Sequence, residues 1–220
     1  NALKNNKPLI IPGTINAYSA KLAEIANHNS IYLSGSGVAA ASYGLPDLGV
    51  TTLENVLIDA KRITSATSLP LLVDIDTGWG DFDAISNTII EMGNANVAAV
   101  HIEDQIFDKR CGHRPNKQLV SIDEMQDRLK AALDAKIDDS FFIMARTDAL
   151  ESEGIEKAIE RCGKYLDVGA DGIFFEAAVS IEEYKEFKNN FSAPLLANIT
   201  EFGKTPLFTQ KELCDVGVDM

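Results

Sequence analysis

Leu71-Leu72-Val73-Asp74-Ile75-Asp76-Thr77-Gly78 reads as a buried strand that runs into a polar end. Its apolar residues are nearly continuous instead of alternating, as in strands covered on both faces. Six further runs share this character: Leu9–Ile11, Ile31–Ser34, Val97–Glu103, Phe141–Arg146, Gly172–Glu176 and Leu195–Ile199. Helix-period segments lie between them. Thr51–Thr67 carries Leu53, Val56, Leu57, Ala60 and Ile63 at spacings of three and four. Ser121 and Glu124 give a Ser-x-x-Glu start to a helix running to about Ala135, and Ser180 and Glu183 open another. Gly154–Asp167 behaves alike, Gly169-Ala170-Asp171-Gly172 is a turn, and a last helix is expected at about Thr209–Asp215.

Repeated strand–helix units imply an α/β fold with a parallel sheet. A doubly wound sheet would gather its polar residues at one switch point and open its first helix with a glycine fingerprint. Here polar residues close nearly every strand and no Gly-x-Gly-x-x-Gly is present. The expectation is therefore a parallel (β/α)8 barrel, with those polar ends at its mouth. No linker or composition break divides the chain, so residues 1–220 are read as a single domain. Seven strands are one short of a closed barrel. The eighth is expected to begin at Val216-Gly217-Val218-Asp219-Met220, with its remainder and the C-terminal helices absent, leaving two open edges.

Across 220 residues, 45% hydrophobic and 24% charged residues are ordinary for a globular protein. No apolar run approaches the roughly 20 residues of a membrane span, and no secretory signal precedes the first strand, so a cytoplasmic location is expected. A net charge of −13 argues against nucleic acid. The one basic stretch, 109–117, suits a small anion. Three widely spaced cysteines, Cys111, Cys162 and Cys214, form neither a disulfide framework nor a zinc pattern.

The strand ends carry the candidate chemistry. Asp74 and Asp76, two apart in a strand, would share a face, and two close carboxylates call for a cation, with Mg²⁺ the natural hard ion. The plainer alternative has one aspartate capping a helix and the other solvated. Glu103, at the end of Val100-His101-Ile102-Glu103, is a further candidate metal contact. In Lys109-Arg110-Cys111-Gly112-His113-Arg114-Pro115-Asn116-Lys117, cations around Cys111 are expected to depress its thiol pKa, and Gly112 allows close backbone approach. Arg146 is a natural carboxylate clamp. Glu176, Asn198 and Thr200 end later strands, and Ser34-Gly35-Ser36-Gly37 offers hydroxyls and N–H groups to an anion. No lysine ends a strand, which disfavours imine chemistry.

On these residues the chain resembles the isocitrate lyase/phosphoenolpyruvate mutase superfamily, over nearly its whole length. Lys109–Lys117, Tyr32-Leu33-Ser34-Gly35 and Gly44-Leu45-Pro46-Asp47-Leu48-Gly49 match its methylisocitrate-cleaving branch. The resemblance implies cleavage of the tricarboxylate 2-methylisocitrate to pyruvate and succinate, a step of propionate catabolism in the methylcitrate cycle. It implies Mg²⁺ at Asp74 and Asp76 with Glu103 nearby, and substrate held by Ser34, Gly35, Ser36, Gly112, His113, Arg146, Glu176, Asn198 and Thr200. Cys111 would be the acid, Tyr32 a candidate to remove the hydroxyl proton and Asp47 its support. A homotetramer exchanging C-terminal helices is likewise implied. Ser36 stands where the resemblance leads one to expect glycine, and the Trp79-Gly80-Asp81-Phe82 loop is short. The rival readings are isocitrate lyase, an oxaloacetate decarboxylase, a phosphate-binding barrel and a non-catalytic carboxylate-binding barrel.

Overall fold

The computed structural model describes residues 2–220. Six parallel strands form one sheet in chain order: β1 (Ile31–Leu33), β2 (Leu71–Asp74), β3 (Ala99–Glu103), β4 (Phe142–Thr147), β5 (Gly172–Phe175) and β6 (Leu195–Leu196). A doubly wound sheet would reverse its order at a switch point, and this one does not. Crossovers between parallel strands share one hand, so sequential order puts the crossover helices on the same face of the sheet. The opposite face can be buried only by curling onto itself. Two clusters follow. The large one joins the outer strand faces (Leu33, Val73, Ile102, Ile143, Phe175) to the helices. The small one, Leu72, Met144, Phe174 and Leu196, fills the inside, with Tyr32, Ala99 and Met220 against it.

The helices begin where capping groups sit. Thr52 caps Leu53–Ala66 in a reciprocal box with Asn55, and Ser180 caps Ile181–Asn190 in a box with Glu183. Ser121 Oγ accepts the Glu124 N–H at 3.1 Å to start Ile122–Asp134. The reciprocal half is not formed there, because the Glu124 carboxylate is paired with Arg128 at 2.7 Å. Ile155–Val168 ends at Gly169 with φ 117°, a left-handed conformation that glycine adopts without a Cβ penalty. Gln210–Asp215 is the last helix. Ala17–Ile25 and Phe82–Asn94, not singled out in the sequence, are capped by Asn16 and Asp81.

Leu9–Ile11 is not a strand. The segment makes one bridge, Gly13 to Tyr32, beside hydrogen bonds from Thr14 N to Tyr32 O and Tyr32 N to Pro12 O at 2.7 and 3.0 Å. Pro8 and Pro12 have no N–H to continue a ladder. Nor are the sheet edges simply open. Leu9 N donates to Asp219 O at 2.8 Å, and Asp219 N and Met220 N reach Leu195 O at 3.0 and 3.1 Å. Ala197 N donates to Met220 O at 3.0 Å. Residues 219–220 thus begin the expected eighth position against β6 and link it to β1 through 9–14. Among the described residues, no helix is long and apolar enough to cross a membrane.

Candidate active site

Because alternate residues of a strand share a face, the inner apolar layer continues into Ser34, Asp74, His101, Glu103, Arg146 and Glu176 at the C-terminal ends of the strands. There Ser34, Asp74, Arg146 and Glu176 border a cavity of about 850 Å³, while His101 and Glu103 are fully buried behind its wall. Its lining includes Tyr32, Ser34, Ser36, Asp47, Asp74, Cys111, Gly112, His113, Arg146, Glu176, Asn198 and Thr200. Apolar residues from Leu9, Leu72, Phe174 and Leu196 complete the wall.

Asp74, Asp76 and Glu103 converge, with one oxygen of each within 4.8 Å of the others, and all three are buried. The reason differs from the strand geometry expected. β2 stops at Asp74, and Asp76 turns back with φ 47°. The Asp76 N–H donates to Asp74 Oδ1 at 3.1 Å, closing the turn. Gly35 N donates to Asp74 Oδ2 at 3.1 Å, so this N–H serves the acidic cluster and is not free for a substrate anion. Ser34 Oγ likewise accepts from Gly37 N at 3.4 Å as a helix cap.

Burial, then Asp74, pushes the Asp76 carboxyl up to about 6, and burial pushes Glu103 well above its usual range. Burial also opposes ionisation of Asp74, but His101, Lys109 and Arg146 outweigh it and hold that carboxyl at about 2. Lys109 Nζ lies 2.6 Å from Asp76 Oδ1 and 2.7 Å from Asp47 Oδ1. Both oxygens of Glu103 are buried without a hydrogen-bond donor, and the nearby Arg146 Nε, 3.3 Å away, already donates to Asp148. Buried carboxylate oxygens without a donor, in an all-oxygen set, fit a hard divalent cation.

Cys111 is half-buried, and its thiol is pushed up from 9.0, chiefly by burial. The expected depression fails because the surrounding cations are engaged elsewhere. Arg110 and Arg114 expose their side chains, Lys109 is paired with the aspartates, and His113 Nε2 lies 3.0 Å from Glu176 Oε1. A thiol kept protonated is a proton donor. Tyr32 places its hydroxyl 2.9 Å from His101 Nε2. Burial and Asp74 raise it well above 10, which suits it to donating a hydrogen bond and not to accepting a proton. Burial lowers His101 to about 4, so its 3.7 Å approach to Asp74 is a neutral contact.

Arg146 is held by Asp148 through Nε at 2.9 Å and Nη2 at 3.1 Å, with its guanidinium 5.1 Å from the centre of the Phe174 ring. Glu176 is buried, yet Arg146 and His113 hold it ionised, at about 2. It therefore cannot grip a substrate carboxylate, and instead orients His113. Lys204 N donates to His113 Nδ1 at 2.9 Å, leaving the proton on Nε2 toward Glu176. Asn198 Nδ2 approaches the same ring at 3.4 Å. Asn198 and Thr200 lie beyond the two-residue β6, in a loop, and still reach the cavity.

Three residues of the centre escaped the sequence reading. Lys109 and Lys117 lay inside the quoted loop, but a lysine off the strands gives no sign that it folds back. Lys117 Nζ hydrogen-bonds Gly112 O and lies 3.5 Å from Asp148 Oδ1. Asp148, two residues past Arg146, was a visible partner for it.

The family profile described as Phosphoenolpyruvate phosphomutase matches residues 1–220. The 2-methylisocitrate lyase of Shewanella oneidensis is 59% identical over 219 residues, covering 100% of this chain and 75% of the relative. That of Escherichia coli (strain K12) is 54% identical over 221 residues, covering 100% and 74%. Among solved structures, oxaloacetate acetylhydrolase in complex with 3,3-difluorooxalacetate superimposes with a TM-score of 0.95 at 35% identity, covering 99% of this chain and 75% of that one. Phosphonopyruvate hydrolase in complex with oxalate and Mg²⁺ gives 0.85 at 29% identity, covering 99% and 76%. Matched along its whole length, the chain belongs to the phosphoenolpyruvate phosphomutase family, within the isocitrate lyase/phosphoenolpyruvate mutase superfamily.

Proposed function

We propose that this protein is a Mg²⁺-dependent carbon–carbon lyase that cleaves 2-methylisocitrate to pyruvate and succinate. The observation that carries the reading is one cavity lined by both Asp74, of the buried oxygen cluster, and Cys111, a protonated thiol. Relatives at 59% and 54% identity bear the name of this activity. Asp74, Asp76 and Glu103 would hold the ion, directly or through water. When bound, Mg²⁺ supplies Lewis acidity that lowers the pKa of the substrate hydroxyl.

The remaining work falls to the chain itself. Arg146 places its positive charge and the guanidinium donors not taken by Asp148 against the substrate carboxylates, beside the neutral His113. The hydroxyl proton passes to water entering the cavity mouth, and the carbon–carbon electron pair moves to the succinyl half. Cys111 gives its proton to that carbon, and the electrons balance with no redox partner. Glu176 keeps His113 aligned, and Tyr32 offers a hydroxyl proton to a substrate oxygen. The test is the rate of purified protein with Mg²⁺ on 2-methylisocitrate, isocitrate and oxaloacetate. The expected result is the highest kcat/KM on 2-methylisocitrate; a higher value on either other acid would overturn the assignment.

A further inference from the structure

We propose that Gln105 is a positioning residue that sets Lys109 and Cys111 together by gripping the backbone of the residue between them. Gln105 follows β3, two residues past Glu103, and is fully buried. Its side chain makes a matched pair of hydrogen bonds with Arg110. Nε2 donates to Arg110 O at 2.8 Å, and Oε1 accepts from Arg110 N at 3.0 Å. The Arg110 side chain is itself exposed, so the backbone is what is held.

Each peptide unit is planar and carries the Cα atoms on both its sides. The Arg110 N–H belongs to the plane that contains the Cα of Lys109. The Arg110 carbonyl belongs to the plane that contains the Cα of Cys111. One amide side chain therefore fixes two planes at once. One leads to the ammonium between Asp47 and Asp76, the other to the thiol in the cavity.

Gln105 is well placed for this because its own backbone is anchored. It bridges Leu119, its carbonyl accepts Arg128 Nη1 at 2.8 Å, and Ile106 N donates to Gln118 O at 2.9 Å. Those contacts close both stems of the loop. Between the stems, Gln105 reaches in and holds the middle. A buried amide must find partners for its donor and its acceptor, and Arg110 supplies both. An apolar side chain of equal length would fill the same space and hold neither plane.

The proposal rests on Cys111 supplying a proton, and its test separates the two ideas. Gln105→Met keeps the length and removes both hydrogen bonds. With the full chain and Mg²⁺, kcat on 2-methylisocitrate should fall about tenfold or more, with a smaller change in KM. Amide exchange at Arg110 should quicken about tenfold or more, and iodoacetamide should label Cys111 faster, read by mass spectrometry apart from Cys162 and Cys214. Unchanged kcat, or unchanged exchange at Arg110, would overturn the role. Should Gln105→Met fail to fold, the unmodified protein decides: an Arg110 amide exchanging at the rate of a free peptide refutes the grip. If the unmodified protein cleaves no tricarboxylate, the functional reading fails, while exchange and labelling still judge Gln105.

Discussion

Replacing Gly112 by alanine should cripple turnover while leaving the fold standing. A Cβ built on Gly112 would lie 2.5 Å from Glu176 Cγ and 2.6 Å from Glu176 Oε1, and closer still to Arg146 Nη2. Comfortable carbon contacts begin at about 3.5 Å, so one side must retreat by about 1 Å. The wall cannot easily yield: Arg146 is clamped by Asp148 at 2.9 and 3.1 Å, and Glu176 is held by His113 at 3.0 Å. If the loop stayed in place, overpacking would cost about 1–3 kcal/mol. The loop is the softer partner, so relief comes from moving it, and Cys111 moves with it. A 1 Å displacement of a reacting group costs on the order of 10²-fold in rate. Steady-state kinetics on Gly112→Ala should show that loss in kcat with a melting temperature within a few degrees of the parent. A kcat within about twofold of the parent would refute the claim that this approach sets the thiol.

Arg146→Met leaves Glu103, Asp148 and Glu176 without their shared buried cation, and should cost about 3–5 kcal/mol in urea denaturation; a loss below about 1 kcal/mol would mean the carboxylates find other relief. Glu176 is held at about 2 against an ordinary 4.5, so it contributes stability above pH 4.5 that is lost as pH falls toward 2. That contribution is on the order of 3 kcal/mol, so Glu176→Gln should flatten the decline of unfolding free energy between pH 5 and pH 3; an unaltered decline would contradict the assignment.

The barrel was legible because continuous apolar runs ending in Asp74, Glu103, Arg146 and Glu176 can satisfy burial only as parallel strands with their polar ends together. Leu9–Ile11 misled because apolar content alone does not report the N–H groups that Pro8 and Pro12 lack. The site list was legible wherever a polar residue closed a strand. It faltered where tertiary pairing decides the chemistry. The basic neighbours of Cys111 suggested a thiolate, but chain order does not reveal that Lys109 turns to Asp47 and Asp76, or that Arg110 and Arg114 face solvent. Asp74 and Asp76 were paired for the wrong reason: a turn with positive φ at Asp76, and not strand alternation, brings them together. Gln105 gave no signal, since its partner is backbone.

The most direct test of the account is calorimetric titration of the metal-free protein with Mn²⁺ as a stand-in for Mg²⁺. One ion should bind per chain, and binding should be lost in both Asp74→Asn and Asp76→Asn. Mn²⁺ binding that survives unchanged in either variant would contradict it.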